Sequence, residues 1–210
     1  MRIVLASTSP RRRDLLALLG IAFEVRAPSY EERIVSGRSA ADLVVQFARS
    51  KAGTVARQDE DALVLASDTL IELDEAVLGK PGDQAEAGSM LRRLAGREHI
   101  VKTAVTVACH GQQLESTQVA TARVWMKPYE AEIHECYLAS GDSLGKAGGY
   151  TIQGPGADLI ERLDGDFTTV VGFPLRLVAR LLKEAGVRVP VDVDELYRTK
   201  PYGNWTRFPG

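Results

Sequence analysis

The run Ala62-Leu-Val-Leu-Ala66 is apolar at every position, and this constrains the fold more than any other stretch of the chain. A strand with one face in water alternates apolar and polar residues, whereas an unbroken apolar run belongs to a central strand buried on both faces. Arg2-Ile-Val-Leu-Ala6 reads the same way. Both runs stop abruptly, at Ser7-Thr-Ser9 and at Ser67-Asp-Thr69, and open α/β sheets place their chemistry at such strand ends.

The first strand leads into a helix with clear start and stop signals. Ser9 suits the N-cap, Pro10 the first helical position, Leu15, Leu16 and Leu19 an inner stripe, and Gly20 the stop. The free N–H groups of that helix then point at whatever Arg11, Arg12 and Arg13 hold. A helix N-terminus favours negative charge, and guanidinium groups add forked donors that match phosphate. The residues equally suit an exposed arginine cluster on an ordinary capped helix.

Further elements follow from periodicity. Ala22–Arg26 reads as a second strand, and Ser39 caps a helix to about Arg57 with Leu43, Val44, Phe47, Ala48 and Val55 inside. Lys51 lies on the same face as Leu43 and Phe47, so its ammonium must snorkel outwards or reach a partner. Leu70–Leu73 and Ala76–Leu78 form a hairpin about Asp74-Glu75, leading to Gly79-Lys-Pro81. A helix spans about Asp83 to Leu94, two antiparallel strands run from Ile100 to Ala108 and from Thr117 to Trp125, and a helix starts at Pro128 and runs to about Ala139. Lys146–Gly154 is a glycine-dense approach to a strand at Asp158–Leu163, and a last helix covers Pro174–Ala185. Residues 187–210 are rich in proline, glycine and charge, a tail that drapes or frays after a single domain over 1–186.

With 210 residues, 45% hydrophobic and 26% charged, the chain can bury a real core as one domain or as two small lobes around a cleft. A net charge of −2 argues against nucleic-acid binding, since any positive charge must be concentrated locally. No apolar run approaches a membrane span and the N-terminus lacks a secretory signal, so the expectation is a cytoplasmic protein with Cys109 and Cys136 as reduced core thiols. A Walker loop, a dinucleotide fingerprint and a nucleophile elbow are absent, and His99, His110 and His134 lack metal spacing. What remains at element ends is Arg11, Arg12, Glu31, Glu32, Lys51, Asp68, Lys80 and Lys146. Phosphoanhydride cleavage needs such a set: cations to neutralise a polyphosphate, carboxylates to hold a divalent ion, and a carboxylate to orient or deprotonate water.

Seven ordered blocks carry a resemblance. They are Ala6–Arg12, Glu31-Glu32, Ala48–Ala52, Ser67–Thr69, Gly79–Pro81, Lys146–Gly154 and Val170–Pro174, and from Arg2 to about Ala185 the chain resembles the Maf family of nucleoside triphosphate pyrophosphatases. The resemblance implies a mixed α/β fold with an elongated, twisted, helix-flanked sheet, two lobes and a central cleft. It further implies a homodimer, and hydrolysis of a nucleoside triphosphate to the monophosphate and pyrophosphate with Mg²⁺ or Mn²⁺. Carried over by position, Asp68 matches the general base and Glu32 the second essential carboxylate, both as metal ligands, while Arg12, Lys51 and Lys80 match phosphate-holding cations. Ser7, Ser9 and Lys146 join the substrate set, and Arg11, Thr69 and Gln153 resemble the branch acting on dTTP and UTP. The carboxamide of Gln153 suits the O4 and N3–H edge shared by uracil and thymine. Phe173, Thr168-Thr169 and the tail after Gly186 depart from the usual family pattern. Two other readings stand beside this one: the same reaction on 7-methyl-GTP or another modified nucleotide, and a nucleotide-binding regulator of septation or growth that does not hydrolyse.

Overall fold

The computed structural model describes residues 2–208. Strand β1 (Arg2–Ala6) lies parallel to the first part of β3 (Ala62–Leu73), with Val4 opposite Val64 and Leu5 opposite Leu65. Alternation along these two strands sends Ile3, Leu5, Leu63 and Leu65 to one face, where they meet Leu15 and Leu16 of α1 (Pro10–Ala17) and Leu19 just beyond it. Val4, Ala6, Val64 and Ala66 go to the other face, against Ala52 and Val55 of α2 (Ala40–Ala56). Both faces are thus covered, which is why Ile3–Ala6 and Ala62–Ala66 carry no polar residue.

The sheet has seven strands. A short β2 (Glu24–Arg26) lies on the outer side of β1, and β4 (Ala76–Leu78) pairs with the far end of β3. On the other side the order runs from β3 to β5 (Glu98–Cys109), β6 (Leu114–Met126) and β7 (Ile160–Asp164), all antiparallel. Asp74 and Glu75 adopt φ of 47° and 66°, the left-handed pair a tight hairpin turn requires. Around the sheet sit α3 (Gln84–Leu94), α4 (Ala131–Ala139), α5 (Phe167–Val171) and α6 (Leu175–Glu184).

Three local expectations are corrected, and one helix is added that the sequence reading lacked. Strand β3 does not end at Ser67: Ala66 through Glu72 stay paired with β5, from Thr106 to Ile100, so the backbone remains extended. It is β1 that ends, at Ala6, leaving that side of β3 open beyond Leu65. The Lys146–Gly154 segment is not an extended approach. It coils through a 3₁₀ turn at Ala147–Gly149 and enters a second at Gly154–Leu159, because Gly148, Gly149 and Gly154 sit at φ of 69°, 73° and 58°. The five-residue α5, capped by the Asp166 side chain, is too short and too β-branched for a helical period to be read from sequence. Cys109 is buried as expected, but Cys136 is exposed on α4.

Residues 187–208 drape over the domain. They form α7 (Val193–Thr199) and a 3₁₀ turn at Trp205–Arg207, with Trp205 only 2% exposed. Pro209 and Gly210 lie outside the described residues. Among the described residues, no helix is long and apolar enough to cross a membrane.

Candidate active site

Where β1 ends and β3 continues, the sheet loses a neighbour and a cavity of about 460 Å³ opens. It lies at the carboxyl end of β1, the position at which open α/β sheets bind ligands. Ser7, Ser9, Arg11 and Arg12 reach it from the β1–α1 turn, Glu32 from the irregular segment after β2, Lys51 from α2, Thr69 from β3, Lys80 from the turn after β4, and Lys146 from the loop after α4. Nearly all the residues singled out in the sequence therefore meet in one place.

The β1–α1 turn is built as its sequence requires. The Ser9 side chain accepts from the Arg12 amide at 3.5 Å, and the Ser9 amide donates to Ser7 Oγ at 3.1 Å. The two local bonds hold the turn open towards the cavity, with the arginines of the first helical turn beside it.

Acids and ammonium groups alternate along one side. Lys51 Nζ pairs with both Glu32 and Asp68, and Lys80 Nζ donates to both Glu32 carboxylate oxygens at 2.8 Å. Lys51 is 6% exposed and Asp68 1%, so the snorkelling alternative for this lysine is excluded: its ammonium is held inside by two carboxylates. Asp68 stands behind Lys51, not on the cavity wall, and its Oδ2 is buried without a hydrogen-bond partner. Burial pushes the Asp68 carboxyl above the usual carboxylate range, opposed by Lys51 and reinforced by Glu32. For Glu32 burial also acts upward, but Lys51 and Lys80 outweigh it and hold the carboxyl down to about 2. One site thus contains two carboxylates driven apart, the signature of groups with different tasks.

The opposite side is built from guanidinium groups fixed by main chain and hydroxyls. Arg12 Nε donates to the Gly172 carbonyl at 3.0 Å and its Nη2 to Thr69 Oγ1 at 3.4 Å. Ser67 Oγ donates to the same carbonyl at 2.8 Å. Thr69 meets Thr103 Oγ1 at 2.9 Å, and Thr103 donates to the Thr169 carbonyl at 2.8 Å, so β3, β5 and α5 are laced together beneath Arg12. Gly172 sits at φ 102°, and a Cβ there would come within 2.9 Å of Thr69 Oγ1, so only glycine can present this carbonyl. Arg11 Nη1 donates to Thr151 Oγ1 at 2.8 Å. Burial lowers the pKa of Arg11, Arg12 and Lys146, which places their charge in a poorly hydrated environment where it acts at greater strength.

Gln153, like Asp68, is absent from the cavity wall. Its amide donates to Thr151 Oγ1 at 3.2 Å and its side chain faces the Tyr202 hydroxyl. The 3₁₀ turns around it rotate the residue away from the wall that an extended segment would have given it. Sequence reasoning assigned no role to Gly172, Ser67, Thr103 or Thr151, although all but Thr103 fall within the blocks that carried the resemblance.

Among the described residues no group of three or more His, Cys, Asp and Glu side chains is placed to hold a metal ion. The available donor set is Glu32 with Asp68, including the unpartnered Asp68 Oδ2. Two hard oxygen donors fit Mg²⁺ or Mn²⁺, which take one or two carboxylates and complete their shell with water and phosphate oxygens, and do not fit zinc. Cations for a polyphosphate, carboxylates of separated basicity and a cavity of small-ligand size are together what anhydride hydrolysis demands.

The chain is similar to known proteins over most of its length. A dTTP/UTP pyrophosphatase from Pelotomaculum thermopropionicum is 42% identical over 187 residues, covering 89% of this chain and 98% of the relative. One from Deinococcus radiodurans is 45% identical over 189 residues, covering 89% and 94%. The structure of the Staphylococcus aureus Ham1 protein superposes with a TM-score of 0.51 at 13% identity, over 88% of this chain and 100% of that one, a likeness of fold alone. Residues 2–185 match the family described as Maf-like protein, a span that takes in β1 through α6 and every residue lining the cavity, and the chain belongs to that family.

Proposed function

We propose that this protein is a nucleoside triphosphate pyrophosphatase that hydrolyses dTTP and UTP to the monophosphate and pyrophosphate, acting in the cytoplasm as a homodimer with Mg²⁺ or Mn²⁺. The observation that carries the reading is the convergence of Glu32, Lys51, Lys80 and Arg12 on one cavity, with Asp68 ion-paired to Lys51 behind its wall. The names of the relatives supply the pyrimidine preference.

Carboxylates hold the ammonium groups of Lys51 and Lys80 in place at the cavity. Arg12, Lys51 and Lys80 then offset the charge of the phosphate chain, with Arg12 fixed by Gly172 and Thr69. Asp68 orients a water molecule towards the α-phosphorus and accepts its proton, and pyrophosphate leaves. A carboxylate made more basic by burial is a better proton acceptor at neutral pH than an ordinary one. A divalent ion held by Glu32 and Asp68 would supply further neutralisation of the phosphate oxygens.

The test is incubation of purified protein with UTP, dTTP, CTP, ATP and 7-methyl-GTP, with Mg²⁺ or Mn²⁺ and after chelation. Pyrophosphate from UTP and dTTP, lost with chelator and restored by metal, is the expected result. Nucleotide binding without release of pyrophosphate would overturn the hydrolase reading in favour of a regulator. Light scattering at twice the 22.8 kDa chain mass is expected for the dimer.

A further inference from the structure

The matched family span ends at residue 185, yet residues 187–208 are firmly attached and reach the segment that adjoins the cavity wall. This strap is anchored twice. Tyr197 of α7 shares a hydrogen bond of 2.9 Å with Thr168 Oγ1, and Trp205 stacks on Phe167 with ring centroids 5.7 Å apart and planes 12° from parallel. Both contacts fall on α5, directly before the Gly172 carbonyl that holds Arg12. The turn between these anchors then touches a second part of the site. Asn204, at φ 66°, accepts from the Gly154 amide with its Oδ1 at 2.9 Å, and Tyr202 faces Gln153. The segment so pinned begins at Thr151, whose hydroxyl receives both Arg11 Nη1 at 2.8 Å and the Gln153 amide at 3.2 Å.

We propose that the strap is a positioning element for the cavity: the Asn204 carboxamide, by fixing the Gly154 amide, holds the Thr151–Gly154 segment in the arrangement that presents Arg11 to the substrate. This rests on the reading of the cavity as a nucleotide site. Asn204 touches no cavity wall itself and acts through the segment. The bond is long-range, between residues 50 apart, and is made by a residue in the left-handed region that asparagine tolerates and most side chains do not. The other end of the segment is closed by Arg207 Nη1 on Asp158 Oδ1 at 2.7 Å, so 151–158 is gripped from both sides by the strap.

Two substitutions in the full-length protein separate the carboxamide from the backbone shape. Asn204→Gly keeps the left-handed backbone and removes the acceptor, while Asn204→Asp keeps an acceptor oxygen in place. The expected result with UTP and Mg²⁺ is a KM raised about 3- to 10-fold in Asn204→Gly, with kcat within about twofold of wild type and KM restored in Asn204→Asp. Hydrogen exchange of the 151–156 amides should accelerate in Asn204→Gly and not in Asn204→Asp. A wild-type KM with unchanged exchange in Asn204→Gly, or equal losses in both variants, would overturn the proposal. A wild-type protein that releases no pyrophosphate from any nucleotide would sink the hydrolase reading by itself. Exchange alone then decides: acceleration in Asn204→Gly with rescue by Asn204→Asp supports the strap's hold, and unchanged rates refute it.

Discussion

At the scale of single residues, the site is defined by what surrounds Asp68 and Glu32. The two are joined through one ammonium, but Asp68 is nearly excluded from water and Glu32 is flanked by two lysines. Asp68→Asn preserves shape and keeps Lys51 paired with Glu32, so turnover should fall about 10²–10⁴-fold while the urea midpoint holds, as measured by pyrophosphate release beside an unfolding curve. In wild type the acidic limb of kcat/KM should lie above 3.8, the ordinary aspartate value, because burial raises the base and it must be ionised to act. Glu32 has the opposite sign. Its folded value of about 2 lies under the ordinary 4.5, so its stabilisation is complete above pH 4.5 and is lost as pH falls towards 2. Urea midpoints of wild type and Glu32→Gln should therefore converge as pH is lowered through that window, and a constant difference would contradict the assignment.

At the scale of elements, β1, α1, α2 and β3 were legible because their residues obey local rules: unbroken apolar runs, a serine cap with proline after it, and a helical stripe through Leu43, Phe47 and Lys51. The placement of Asp68 is only partly readable from its own strand. The residue does not end that strand; it lies where the neighbouring strand ends, and pairing between distant segments is invisible to a local pattern. Gln153 lies off the cavity wall beside three left-handed glycine positions, and sequence spacing does not report φ. Gly172 illustrates the same limit, since its importance lies in a carbonyl and a missing Cβ. Gly172→Ala forces a methyl against Thr69 Oγ1 in an unfavourable backbone region, and kcat/KM should drop at least about 10-fold through displacement of Arg12, with the change visible as altered Arg12 and Thr69 positions in a crystal structure.

At the scale of the whole molecule, one sheet runs through the described chain, and the cavity exists because its strands differ in length. Short β1 and β2 stop beside a β3 of 12 residues, and loops from both sides close over the exposed part. Composition indicated a protein able to bury a core, and the core is indeed split between the two faces of the sheet. The strap was the least legible part, because its proline, glycine and charge content resembles that of a fraying terminus. Its attachment depends on a few large rings, so Trp205→Ala should cost about 3–5 kcal/mol of folding stability, read from urea denaturation.

The stacked Trp205–Phe167 pair also makes the protein its own optical probe. The sequence has only two tryptophans, and the other, Trp125, lies on β6 under the Arg162 guanidinium at 3.6 Å. With Trp125 replaced by phenylalanine, the remaining indole emission would come from the junction of strap and α5 alone. Its wavelength and quenching would follow strap detachment in real time, without any external label.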